Sequence, residues 1–248
     1  MVDVPEHDVA VDAARPVEAA VVVEAAPRTR LRSLDVLRGA VLAFMLITPP
    51  FSRRGSYPQL EHAEWLGWTC TDLIFPLFLF TSGASLAFLL RDGLTVERGR
   101  RLVRRLIGLL VLGVVYNGLG SAFDLGMLRL TGVLQLIGVS GFLGALVFSA
   151  VHRVASERVP IVLAGVLGVG LAAHAALLSS QDCWRDAVEC GPFIDLDVSL
   201  LGASHVYRQA ASGYDPEGIV VMVTATWIVL AGALAAAVLC GRRDDAAP

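Results

Sequence analysis

Five stretches of this chain, 72–90, 106–123, 130–151, 159–178 and 219–240, run 18 to 22 residues with scarcely a charge. A helix needs roughly 20 apolar residues to cross a bilayer. No water reaches the backbone there, so each stretch must satisfy its own N–H and C=O groups, as an α-helix does. The pattern predicts an all-α, multi-pass membrane protein whose first partner is the lipid bilayer. Composition agrees: 17% of residues are charged, against about 25% in a soluble domain, and the mean hydropathy is +0.65.

A sixth span is shorter. The charge-free run from Gly39 to Ser52 has 14 residues, too few alone. Taking 36–51, with Arg38 snorkelling back to the interface, makes a short span that Pro49-Pro50 ends. Ser33 is placed to cap this helix, with Asp35 in its first turn. Pro76 should kink the next span. Residues 1–27 read as a disordered cytoplasmic tail and not as a signal peptide. Residues 28–243 then form the membrane domain, with 179–218 as an outer loop, and 244–248 are a tail.

Arginine placement orients these spans. All 20 basic residues are arginine. With six spans and both termini cytoplasmic, fifteen arginines fall inside and five outside, the bias that membrane proteins show. Arg100, Arg101, Arg104 and Arg105 are read as topology determinants that meet anionic lipid. The lack of lysine excludes Schiff-base chemistry, and no basic stripe points to nucleic acid.

Titratable groups gather between Tyr57 and Gly83. His62, Glu61, Glu64 and Asp72 sit at the mouth of the 72–90 span, which the arginine count puts on the outer face. Trp65 and Trp68 suit that interfacial depth. A neutral imidazole works as base or nucleophile near pH 7, and the flanking glutamates can orient it. The structural alternative is an interfacial histidine bonded to a loop carbonyl. Asp72 reads either as a cap at Thr71-Asp72 or as a site residue. His174 reads as a packing residue, His205 as a loop residue, and Asn117 and Gln135 as interhelical hydrogen-bonding groups. Asp215 and Glu217 read as caps of the last helix. Cys183 and Cys190 either pair in the outer loop or stay as two free thiols. No Cys/His spacing resembles a zinc site, so no metal is expected.

Several blocks occur in order: Ser-Leu-Asp-Val-Leu-Arg-Gly (33–39), Glu-His-Ala-Glu-Trp-Leu-Gly-Trp-Thr (61–69), Thr-Asp-Leu-Ile-Phe-Pro-Leu-Phe-Leu-Phe (71–80), Thr-Gly-Val-Leu-Gln (131–135) and Tyr-Asp-Pro-Glu-Gly (214–218). Over about residues 30 to 240 the chain resembles the heparan-alpha-glucosaminide N-acetyltransferase family and its bacterial relatives. The resemblance implies acetyl transfer from cytoplasmic acetyl-CoA, as co-substrate, to an amino-sugar amine on the far side of a bacterial cytoplasmic membrane. It also implies that His62 is the essential histidine, with Glu61 and Asp72 beside it. Arg38, with Asp35 three residues away on the same helix face, would receive CoA phosphates; an ion pair at the inner interface is the structural reading. The sequence departs from the family pattern in three places. No asparagine stands between the first span and His62, Leu136 follows Gln135 where arginine is usual, and one helix follows the Asp-Pro-Glu-Gly block where relatives have several. The last departure leads to the expectation of a shortened relative, either non-catalytic or completed by a second copy or a second chain that supplies helices.

Overall fold

The computed structural model describes residues 32–51, 57–63, 67–180, 192–207 and 215–244. All regular elements among them are helical: α1 (Arg32–Phe51), α2 (Cys70–Leu90), α3 (Val96–Gly120), α4 (Val133–Val154), α5 (Val159–Ser179), α6 (Pro192–Leu201), α7 (Ile219–Thr224) and α8 (Thr226–Asp244), with 3-10 turns at Pro58–Leu60, Ser156–Arg158 and Ala203–His205. Five helical runs are long and apolar enough to cross a membrane: α2, α3, α4, Ser156–Ser179, and Ile219–Leu239 across the α7–α8 junction. The chain is a membrane protein of this all-α kind.

The expected sixth span, 36–51, falls within α1, which forms as a 20-residue helix. Its length of about 30 Å would suffice at 1.5 Å per residue. Arg32, Asp35 and Arg38 occupy its first seven residues, and residues 39–51 carry no charge. α3 starts at Val96, ten residues before the expected span, because Thr95 caps it: Thr95 Oγ1 accepts from Arg98 N at 3.3 Å. The arginines from Arg98 to Arg105 are therefore helical. The last span breaks for one residue at Ala225, next to Thr224 and Thr226, whose hydroxyls donate to the carbonyls of Val221 and Met222. Such back-bonding bends helices. The expected outer loop contains α6.

Small residues set the centre of the bundle. α2 and α8 touch backbone to backbone: a Cβ on Gly83 would lie 1.8 Å from the Val229 carbonyl oxygen, and one on Gly232 would lie 1.9 Å from that of Phe80. Without lipid-excluded water to drive association, close approach of this kind is what holds membrane helices together. Leu79, Leu90, Leu230 and Ala233 are fully buried around the crossing. α4 joins through Gly144, packed on Val229, and α5 through Gly170, packed on the Trp227 ring. Between α3 and α4 the Gln135 amide fills the space that Gly113 leaves; a Cβ there would lie 2.3 Å from Oε1.

Candidate active site

Thr69, not Thr71, is the N-cap of α2. Its extended backbone turns the chain into the helix, and Asp72, three residues on, folds back so that Oδ2 accepts from Thr69 N at 2.9 Å and from Ala63 N at 3.1 Å. A carboxylate here meets both the orphan N–H groups and the positive end of the helix dipole. Thr69 Oγ1 lies 2.7 Å from the Glu61 carbonyl oxygen and 3.0 Å from Asp72 Oδ2, and its single proton serves one of them at a time. Asp72 is thus the cap that the sequence offered as one reading, with one oxygen spent on capping.

The other oxygen takes the second role. Asp72 Oδ1 lies 2.7 Å from His62 Nδ1. His62 is 70% exposed at its side chain and Asp72 27%, so the ring stands in the open with its base held from beneath. A carboxylate on Nδ1 fixes the tautomer with the proton there, leaving Nε2 as the basic, nucleophilic nitrogen. That arrangement can take a proton from an approaching amine or attack a thioester carbonyl.

The remaining expected site residues contribute less. Glu61 enters through its backbone carbonyl. Glu64 and Trp65 lie outside the described residues, as do Cys183 and Cys190; Trp68 is exposed. Asp35 and Arg38 stand at the start of α1, a helix whose other end leads to His62, so they do not join it. His174 is half-buried in α5, and among the described residues its Nδ1 has no partner. Among the described residues, no three His, Cys, Asp or Glu side chains converge as metal ligands.

A second polar cluster, which sequence reasoning missed, lies at the same end of the bundle, where α3 ends and α4 begins. Buried Asp215 accepts from Arg129 Nη2 at 2.7 Å, Thr131 Oγ1 at 2.6 Å, Tyr207 N at 2.9 Å and Glu217 N at 3.0 Å. Arg129 also pairs with Glu217 and stacks 4.7 Å over the Tyr207 ring. Asn117 donates to the carbonyls of Arg129 and Thr131 at 2.9 and 2.7 Å, so it holds a loop and does not bridge two helices. His205 likewise pins the Leu128 carbonyl at 2.8 Å. Asp215 and Glu217 are therefore ion-pair partners before they are caps. The helix N-terminus is served instead by Asp197, which accepts from Ile219 N at 2.8 Å. Burial pushes the Asp197 carboxyl above its ordinary range, against the lowering effect of that hydrogen bond.

An all-helical membrane protein with an aspartate-held histidine at the head of a span is the class that fold and site define. Comparison narrows it. The family model described as heparan-alpha-glucosaminide N-acetyltransferase, catalytic, matches residues 30–197, and the chain belongs to that family. Heparan-alpha-glucosaminide N-acetyltransferase of Homo sapiens is 29% identical over 265 residues, which take in 85% of this chain and 38% of the human protein. The Mus musculus protein of the same name is 32% identical over 126 residues, 47% of this chain and 19% of its own length. The chain thus spans well under half the length of these relatives.

Proposed function

We propose that this protein is an integral-membrane N-acetyltransferase that moves the acetyl group of acetyl-CoA to the amine of an amino sugar, with His62 and Asp72 as its acid–base pair. The observation that carries this reading is the 2.7 Å contact between His62 Nδ1 and Asp72 Oδ1 at the head of α2. The acceptor nitrogen attacks the thioester carbonyl, the C–S bond breaks, and the CoA thiolate leaves. His62 Nε2 takes the ammonium proton that the new amide must lose and returns it to the thiolate. Asp72 keeps the ring in the tautomer this requires and stabilises the imidazolium in between. In the variant order, Nε2 carries the acetyl group before the amine takes it.

The arginine bias supports a cytoplasmic N-terminus and an outward-facing His62, hence an acceptor on the outer face of a bacterial cytoplasmic membrane and a donor that comes from within. A second copy, or a separate chain, completing the donor passage is part of the same reading. Membranes holding the chain, given labelled acetyl-CoA and glucosamine, should form N-acetylglucosamine, and His62→Ala should abolish this at unchanged protein level. An undiminished rate in that variant rules His62 out.

A further inference from the structure

The hydroxyls of Thr48, Thr81, Ser85 and Ser140 each donate to a carbonyl three or four residues back. Back-bonding of this kind satisfies a hydroxyl inside a helix. Ser82 of α2 instead accepts from Arg105 Nη2 at 3.0 Å. Thr71 does neither. It is the second residue of α2, so the residues three and four places before it, Trp68 and Gly67, precede the Thr69 cap and present no helical carbonyl. Thr71 is 7% exposed, and among the described residues its buried Oγ1 has no hydrogen-bond partner. A buried hydroxyl left unpaired costs stability that an apolar group of the same shape would not.

The helix sets its direction. Thr71 begins a stripe that continues at three- and four-residue steps through Ile74, Phe78 and Ser82, one face of α2. Ile74 and Ser82 are buried and Phe78 packs on the core, so Thr71 faces the bundle interior. Asp72, the next residue, is turned about 100° around the axis, toward the loop that carries His62. The head of α2 thus presents a carboxylate-held imidazole outward and an unpaired hydroxyl inward. A donor that comes from within and an amine that comes from outside meet between these two groups. We propose that the Thr71 hydroxyl is the oxyanion donor of the transfer. The inference rests on the acetyl-transfer reading and adds to it the group that steadies the reacting carbonyl. The amine nitrogen adds to the thioester carbon and the C=O pair moves onto oxygen. Thr71 donates a hydrogen bond to that oxygen and keeps its own proton. The pair returns as the C–S bond breaks, and the hydroxyl ends unchanged. A donor already in place, with no earlier partner to give up, needs no reorganisation when the charge develops.

The full chain in detergent micelles tests this through Thr71→Val, which keeps the shape and removes the hydroxyl. Its thermal unfolding should match or exceed wild type. Its kcat for transfer from labelled acetyl-CoA to glucosamine should fall by about 100-fold, with KM unchanged. Thr71→Ser, which restores the hydroxyl, should recover most of the rate. A further readout needs no turnover: the infrared stretch of an isotope-labelled thioester carbonyl in bound acetyl-CoA should lie lower in wild type and Thr71→Ser than in Thr71→Val. A Thr71→Val chain that unfolds well below wild type overturns the assignment, since the hydroxyl then has a partner within the protein. Transfer by folded Thr71→Val at the wild-type rate contradicts only the role of Thr71. A Thr71-dependent stretch in a chain that transfers nothing contradicts only the transfer reaction. A chain without transfer whose bound carbonyl ignores Thr71, or one that binds no acetyl-CoA, contradicts both.

Discussion

Two aspartates at one end of the bundle hold opposite positions. Asp215 is buried and accepts four hydrogen bonds, from Arg129, Thr131, Tyr207 and Glu217, and its cationic partner is shared with a second carboxylate and an aromatic ring. Asp72 is part-exposed and gives one oxygen to its helix and the other to a histidine that faces solvent. Each oxygen of Asp215 already accepts two hydrogen bonds. The Asp72–His62 pair keeps one ring nitrogen available. Saturation, not charge, separates the group that holds the loops from the group suited to chemistry.

That contrast can be broken most forcefully at Arg129. Its removal strands a buried carboxylate, and breaking one partner of such a pair costs about 3–5 kcal/mol. Arg129→Ala should therefore be poorly folded, with thermal unfolding in detergent far below wild type. Arg129→Lys should recover little, since one ammonium cannot reproduce two carboxylate contacts and a stacked plane. A variant of wild-type stability would show that the cluster holds nothing. Asp72→Ala probes the other side and should cost only about 1 kcal/mol, the worth of an N-terminal cap. His62→Ala, at an exposed ring, should change stability by less than about 0.5 kcal/mol.

Asp197 gives the smallest effect and sets a sign. Burial favours its neutral form, so its folded pKa lies above the unfolded one. Stability from this group is then fully present below the unfolded value and declines as pH rises through the folded value. Asp197→Asn should remove that decline and equal or modestly exceed wild type at neutral pH. A variant that becomes less stable than wild type as pH rises would contradict the assignment.

The spans were legible because a run of apolar residues is a length argument that needs no neighbours. His62 and Asp72 were legible as candidates because both sit at the boundary of one such run. Their pairing was not, since it depends on Thr69 starting α2 and turning Asp72 back toward the preceding loop. The early start of α3 hinged on one threonine cap. Arg129 and Asp215 are 86 residues apart, and nothing local joins them. Arg105 looks like Arg104 in sequence; only the place of Ser82 on the facing helix distinguishes them.

The central claim is that the exposed pair does the chemistry while the saturated cluster only holds. It is tested most directly by the rate of acetyl transfer from labelled acetyl-CoA to glucosamine, per folded molecule, in wild type, His62→Ala, Asp72→Asn and the mild cluster variant Thr131→Val. His62→Ala should fall to background and Asp72→Asn by a factor of about 100 or more, since the wrong tautomer is then favoured. Thr131→Val should keep a rate near wild type in whatever fraction folds. A wild-type rate in His62→Ala, or loss of transfer in fully folded Thr131→Val, would contradict the account.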